Sequence, residues 1–63
     1  MNFYIIIPVH NEEKYISQTL QSIVNQILKP KKLVVVNDNS SDNTGLIIND
    51  FVKRFDWIQK VEN

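Results

Sequence analysis

The chain has 63 residues, in which seven acidic side chains balance seven basic ones, with one histidine and no cysteine. This length allows one domain at most, and a domain this small buries only about 60% of its unfolded surface, so its own stability is marginal. The balanced charge disfavours a broad nucleic-acid or anionic-membrane surface, and the lack of cysteine excludes disulfides. The N-terminus lacks the basic region of a signal peptide, and no apolar run approaches the roughly 18 residues of a membrane span.

The first half of the chain predicts a strand followed by a helix. Residues 3–9 are β-branched and aromatic without alternation, which is typical of a strand buried on both faces. Pro8 has no N–H for the ladder, so we expect regular pairing to end near it. Asn11 suits a helix cap, and apolar residues at helical spacing predict a helix from about Glu12 to Gln26.

The second half repeats this order and adds a strand. Leu33 to Val36 predicts a short buried strand, Asn37 to Asn43 a loop, and an apolar stripe predicts a helix from about Thr44 to Phe55. Trp57 to Val61 has the composition of a third strand. The alternation predicts a parallel sheet with right-handed crossovers, which place both helices on the same face.

The opposite face of this sheet needs a cover. The strands are apolar on both sides, so the face away from the helices would otherwise be bare. The cover could be another copy of the chain or the remainder of a larger α/β domain. We favour the larger domain, of which residues 1–63 would be the N-terminal piece.

Polar residues follow the first two strands at the same edge of the predicted sheet. Asp38 comes directly after the second strand, and open α/β sheets bind ligands at this position. His10 follows the neighbouring strand about 5 Å away. We expect Pro8 and Val9 to offer free backbone carbonyls, and the first helix to offer unpaired N–H groups to the same crevice.

Each of these residues also has a plainer structural interpretation. Asp38 could cap a helix or a turn, and His10 could be a solvated loop residue. Glu12 could simply complement the helix dipole, and Asn11 is mainly structural. The single glycine, Gly45, excludes glycine-rich dinucleotide and phosphate loops, and one histidine without cysteine excludes a Cys/His zinc site.

Two motifs carry a family resemblance. Residues 6–13 read Ile-Ile-Pro-Val-His-Asn-Glu-Glu, and residues 35–44 read Val-Val-Asn-Asp-Asn-Ser-Ser-Asp-Asn-Thr. The pair resembles the start of a family 2 glycosyltransferase of the GT-A fold, which has an I-P-x-[YF]-N-E loop and a V-[DN]-D-x-S-x-D-x-T loop at similar separation. Residues 22–26 also resemble that family's S-[ILV]-x-x-Q helix end, so the resemblance covers essentially the whole chain.

The resemblance implies an α/β fold, the Rossmann-like βαβαβ half of a GT-A nucleotide-diphospho-sugar transferase domain. That half has a parallel three-stranded sheet with two helices. Residues 1–63 would be the N-terminal nucleotide-binding fragment of an incomplete domain. The implied function is to bind the nucleotide-sugar, a UDP-sugar, for transfer to a glycan or lipid acceptor in polysaccharide biosynthesis.

The resemblance also implies roles for individual residues. The first loop would line the uracil and ribose, and Asp38 would hydrogen-bond the base. Asn11 would brace the loop and cap the helix, while Asp42 and Thr44 would hold the second loop and start the second helix. His10 stands where the family commonly has tyrosine or phenylalanine, and Asn37 replaces a frequent aspartate. The implied substrate-binding residues are Pro8, Val9, His10, Asn11, Glu12 and Asp38.

The catalytic part of such an enzyme would lie outside this segment. By the resemblance, the DXD motif that holds a divalent metal, Mg or Mn, follows residue 63, as do the catalytic base and the acceptor site. We therefore expect no catalytic or metal-ligating residue here, and no transfer by the fragment alone. The parent would be cytoplasmic or on the cytoplasmic face of a membrane. The alternative is a non-catalytic α/β module that self-associates or binds a partner, other than nucleic acid, through its uncovered sheet face.

Overall fold

The computed structural model describes residues 3–26 and 28–63, in the order strand, helix, strand, helix, strand. The elements are β1 (Tyr4–Val9), α1 (Ile16–Val24), β2 (Lys32–Asn37), α2 (Thr44–Arg54) and β3 (Ile58–Glu62). The strands are parallel and lie in the order β1-β2-β3. The α/β class and the three-stranded parallel sheet with two helices are therefore confirmed.

The hydrophobic core lies between the two helices and one face of the sheet. Helix α1 contributes Ile16, Leu20 and Ile23, which recur at the three- and four-residue spacing of one helix face. The strands contribute alternate residues, because successive side chains point to opposite faces. The buried apolar residues are Val9, Ile16, Leu20, Ile23, Leu33, Val35, Ile48, Phe51 and Ile58.

The other face of the sheet is uncovered within the described residues. Ile6 pairs with Val34 in the register of β1 and β2, and its side chain is 66% exposed. Tyr4 on the same face is 60% exposed, and Val61 of β3 is also exposed. Both helices thus pack on one face, as the crossover rule predicted.

Regular pairing of β1 ends one residue after Pro8, at Val9, close to the end that the sequence predicted. Strand β1 runs on to Val9, and Pro8 lies opposite Val36. The carbonyl oxygens of Phe3 and Val9 both accept hydrogen bonds from the β2 side. Backbone direction alternates along a strand, so the nitrogen of Pro8 faces the unpaired edge of β1, where its missing N–H costs nothing.

Helix α1 begins at Ile16, four residues later than the predicted start at Glu12. Its cap residue is Tyr15, without a side-chain hydrogen bond, so the prediction that Asn11 caps this helix is wrong. Residues 12–15 form a turn in which the N–H groups of Tyr15 and Ile16 donate to the Glu12 carbonyl. None of the described helices has the length and hydropathy to span a membrane.

Candidate functional site

Polar segments from the carboxyl ends of all three strands meet at one edge of the sheet. Residues 10–13 follow β1 and residues 38–44 follow β2, and we call these two segments the loop junction. Asn63 follows β3 and reaches the same edge. Parallel strands end on the same side, so this convergence follows directly from the topology.

Asp38 lies at the centre of this edge, and most of its polar atoms are held. Its N–H donates to the Val9 carbonyl at 2.8 Å, and its own carbonyl accepts from His10 Nδ1 at 2.6 Å. Its Oδ1 accepts from Asn63 Nδ2 at 3.2 Å. Its Oδ2 has no protein partner within residues 3–26 and 28–63, and the side chain is exposed. The Val9 carbonyl is therefore occupied, which corrects the expectation that it is free.

The contacts of His10 select one tautomer of its ring. A carbonyl oxygen can only accept, so Nδ1 must carry the proton in its bond to Asp38. The amide of Asn11 is oriented by the Ser41 N–H, which donates to Asn11 Oδ1 at 2.8 Å. Asn11 Nδ2 therefore faces His10 Nε2, at 3.4 Å, and that nitrogen accepts. The exposed ring is thus held at both nitrogens.

Two asparagines turn the chain at the loop junction. Asn11 has φ 50° and Asn39 has φ 53°, in the left-handed region that asparagine tolerates better than most residues. Asn11 is also held through its backbone, whose N–H donates to Ser40 Oγ at 3.0 Å. It therefore braces the two loops, as the sequence predicted, although it does not cap α1.

Side chains at the start of α2 bind the backbone of the first loop. The Glu12 N–H donates to Thr44 Oγ1 at 2.8 Å, and the Glu13 N–H donates to Asp42 Oδ2 at 3.3 Å. The Glu13 carboxylate in turn accepts from the Asn43 N–H at 3.3 Å. These N–H groups are therefore not available to a ligand, which corrects that expectation.

Asp42 is the acceptor at the centre of these contacts. The Thr44 hydroxyl donates to its carboxylate, and the N–H groups of Thr44 and Glu13 add further bonds. The hydroxyl of Thr44 is the leading cause that lowers the pKa of Asp42 below its usual 3.8. Thr44 itself is fully buried, so its hydroxyl both donates to Asp42 and accepts from Glu12 out of contact with water.

Asn37 links the ends of β2 and β3 beneath the loop junction. It is buried, and its Nδ2 donates to Glu62 Oε1 at 3.0 Å. This bond, followed by the approach of Lys60, lowers the pKa of Glu62 below its usual 4.5. A side chain on Gly45 would place Cβ 3.1 Å from Asn37 Nδ2, so the close approach of α2 favours glycine there.

The structure brings most of the predicted substrate-binding residues to one surface. Pro8, His10, Asn11, Glu12 and Asp38 are exposed along this edge. Val9 differs, since its side chain belongs to the core. Their contacts with substrate stay predictions.

Sequence reasoning missed Ser40 and Asn63. Asn63 could have been found by the same edge rule, because it follows the third parallel strand. Ser40 stands at the serine of the V-[DN]-D-x-S-x-D-x-T motif, but the motif does not show that its hydroxyl accepts from the N–H of Asn11.

The described residues do not form a divalent-metal site. No three side chains among histidine, aspartate and glutamate converge in residues 3–26 and 28–63. Asp38 and Glu62 accept from amide groups of Asn63 and Asn37, respectively.

Comparison with known proteins decides the family. A model of Glycosyl transferase family 2 matches residues 4–63. The chain belongs to this family. The resemblance of the two motifs is therefore confirmed, and they lie within the matched range as the loop junction and its flanking strands.

Several curated glycosyltransferases are similar to this family 2 chain. It is 50% identical to a probable glycosyltransferase, YdaM, of Bacillus subtilis, over 90% of this chain and 14% of the relative. It is 37% identical to a poly(ribitol-phosphate) beta-glucosyltransferase of Bacillus spizizenii, over 98% of this chain and 10% of the relative. It is 36% identical to a poly-beta-1,6-N-acetyl-D-glucosamine synthase of Staphylococcus epidermidis, over 82% of this chain and 13% of the relative. The chain thus spans a small part of the length of these relatives.

Proposed function

We propose that this chain is the nucleotide-binding segment of a glycosyltransferase that takes a UDP-sugar as donor. The observation that carries the proposal is the exposed Asp38 carboxylate at the carboxyl end of the central strand. One of its oxygens is held by Asn63, and the other has no protein partner among the described residues. Sugar transfer belongs to the longer protein, because the chain spans only 14% of YdaM.

The chemistry of Asp38 suits a base with an imide N–H, such as uracil. An ionised carboxylate only accepts hydrogen bonds, so it needs a donor on the ligand. The N3–H of uracil is such a donor. The N3 of cytosine is an acceptor at the same position, so a carboxylate can bind cytosine only through its N4 amino group. Hydrogen bonds to a charged group are worth about 1.5–3 kcal/mol each, enough to select between the two bases.

The first loop can supply the remaining contacts to the nucleoside. The exposed ring of His10 is held at both nitrogens, so it offers a flat surface to a base at little entropic cost. The exposed carboxylate of Glu12 can accept from ribose hydroxyls. The backbone of Pro8 faces the unpaired edge of β1, where its carbonyl can accept a hydrogen bond. Asn11 sets the shape of the loop. Val9 would act mainly by packing beneath it.

The relatives suggest the class of product. Two of them are named as a poly(ribitol-phosphate) glucosyltransferase and a poly-N-acetylglucosamine synthase. By analogy we propose a glycan or lipid acceptor in polysaccharide biosynthesis, with the protein in the cytoplasm or on the cytoplasmic face of a membrane. The proposal includes Mg or Mn as metal, held by residues outside this segment.

The decisive experiment measures UDP binding to the full-length protein by calorimetry. We expect Asp38→Ala to weaken UDP at least tenfold, in line with the loss of a charged hydrogen bond. Asp56→Ala is the matched control. Asp56 is exposed and precedes β3, at the amino ends of the strands and away from the carboxyl-end loops, so its replacement should leave UDP affinity unchanged. Melting curves of both variants report folding. Unchanged affinity in folded Asp38→Ala would refute the proposal.

The uncovered sheet face favours a second candidate function. Tyr4, Ile6 and Val61 present exposed apolar side chains there, as expected for a non-catalytic module that associates with another copy. Two observations separate the candidates. A D-x-D at the end of a further strand encoded after Asn63 favours the enzyme. The module is favoured if the chain sediments as a dimer that Ile6→Glu dissociates, and if the full-length protein does not bind UDP.

A further inference from the structure

We propose that Asn63 is a positioning residue that orients the Asp38 carboxylate and thereby makes the site selective for a base with an imide N–H. This inference rests on the proposed nucleotide-binding function. It adds a residue from the end of the third strand to a site that the motifs place on the first two loops. The chemical class of ligand is a nucleotide whose base presents an imide N–H.

Two hydrogen bonds fix Asn63 against the end of β2. Its backbone N–H donates to the Asn37 carbonyl at 3.1 Å. Its side-chain Nδ2 donates to Asp38 Oδ1 at 3.2 Å. The backbone bond brings the residue to the strand end, and the side-chain bond then acts on the carboxylate. The carboxamide is the group required here, because its NH₂ is a donor and a carboxylate only accepts.

The consequence for Asp38 is one carboxylate oxygen without a protein partner among the described residues. Its backbone N–H is bound by the carbonyl of Val9, and its carbonyl is bound by the ring of His10. With Oδ1 bound by Asn63, Oδ2 is the carboxylate oxygen without a partner within the described part of the chain. An exposed carboxylate without such a contact rotates among several rotamers, and ordering it would reduce the affinity of the ligand.

The expected effect follows from this ordering cost. Immobilising one side chain costs an amount that corresponds to about a threefold to tenfold change in dissociation constant. The loss should fall on a base that donates to Oδ2. Cytosine presents an acceptor, N3, where uracil presents its N3–H, so an Asp38 carboxylate oriented toward that position should change the affinity of a cytosine nucleotide little. Selectivity between uracil and cytosine therefore reports on the role of Asn63.

The experiment compares UDP and CDP binding to the full-length protein by calorimetry. We expect Asn63→Ala to weaken UDP about threefold to tenfold and CDP little, so that the ratio of the two affinities falls. Asn63→Asp has nearly the same shape but sets a second carboxylate against Asp38. It should weaken UDP more than Asn63→Ala at neutral pH and recover affinity in acid, when the two carboxylates share a proton.

The outcomes separate this inference from the proposed function. If Asp38→Ala weakens UDP but Asn63→Ala leaves the UDP-to-CDP ratio unchanged, the role of Asn63 is refuted and nucleotide binding stands. Equal weakening of both nucleotides in Asn63→Ala also refutes it, because a general loosening of the fold would act on both. If Asp38→Ala has no effect, both proposals fall together. Should Asn63→Ala fail to fold, the acid recovery of the isosteric Asn63→Asp decides.

Discussion

The loop junction and the uncovered sheet face differ in how fully their groups are satisfied. At the junction, backbone N–H groups of Asn11, Glu12 and Glu13 all find side-chain acceptors on the second loop. On the uncovered face, Ile6 and Tyr4 stay mostly exposed. Apart from the buried Asn37 Oδ1, which has no partner, hydrogen bonding around the junction is therefore largely complete within the described residues, whereas hydrophobic burial on the uncovered face is not. The geometry of the site can be local even where the stability of the domain depends on further contacts.

The largest expected difference concerns two isoleucines on opposite sides of the sheet. Ile58→Ala removes a side chain that is 3% exposed and should cost about 2–5 kcal/mol of unfolding free energy. Ile6→Ala, in β1, should cost less than about 1 kcal/mol in the 63-residue chain. Urea denaturation measures both. If the longer protein covers this face, Ile6→Ala should become nearly as costly there as Ile58→Ala. Equal costs already in the 63-residue chain would contradict the uncovered face.

A smaller effect is expected at the loop junction. Thr44→Val keeps the shape of a buried side chain but leaves the Glu12 N–H without its acceptor, which should cost about 1–3 kcal/mol. Thr44→Ser is the control, since it keeps the hydroxyl and loses only a methyl group, worth about 0.8 kcal/mol. Thermal or urea unfolding measures both variants. A valine variant as stable as the serine variant would show that the cross-loop bond does not contribute.

The smallest effect is a dependence of stability on acid. The pKa of Asp42 lies below its usual 3.8 and that of Glu62 below its usual 4.5, so the folded state binds these protons more weakly than the unfolded chain does. Their stabilisation is therefore complete above these usual values and is lost as the pH falls through the lowered pKa values. Unfolding midpoints measured from about pH 6 to about pH 2.5 should fall at the acid end.

Two variants assign this acid dependence. Asp42→Asn should flatten the part that belongs to Asp42, and Thr44→Val should do the same, because the Thr44 hydroxyl is the leading cause of the lowered pKa. Glu62→Gln should flatten the part that belongs to Glu62, whose leading cause is the Asn37 amide. Acid curves that keep the wild-type slope in all three variants would contradict these hydrogen bonds.

The elements that pack against the core were predictable. Helix α2 was predicted from Thr44 to Phe55 and runs from Thr44 to Arg54, because its apolar stripe repeats with the helical period. The strands were placed within about one residue at each end for the same kind of reason. Helix α1 was placed less well, because the chain turns at Asn11, with φ 50°, and residues 12–15 form a separate turn before the helix begins.

The candidate site was predictable in its location but not in its contacts. The position of Asp38 after a buried strand, and of His10 after its neighbour, follows from the rule that parallel strands end at a common edge. The rule does not say which oxygen or nitrogen is used. Only the folded structure shows that the Val9 carbonyl is occupied, which tautomer His10 adopts, and that Asn63 donates to Asp38.

The amino-acid sequence alone was enough to predict the βαβαβ order, the common face of the two helices and the family. These depend on periodicity and on motifs, which are properties of short stretches of chain. The folded structure was needed to show that Thr44 and Asp42 bind the first loop, and that Asn63 leaves one oxygen of Asp38 free. Such contacts join residues 25 to 32 positions apart. Hydrogen bonds depend on distance and direction in space, so no local pattern in the sequence encodes them.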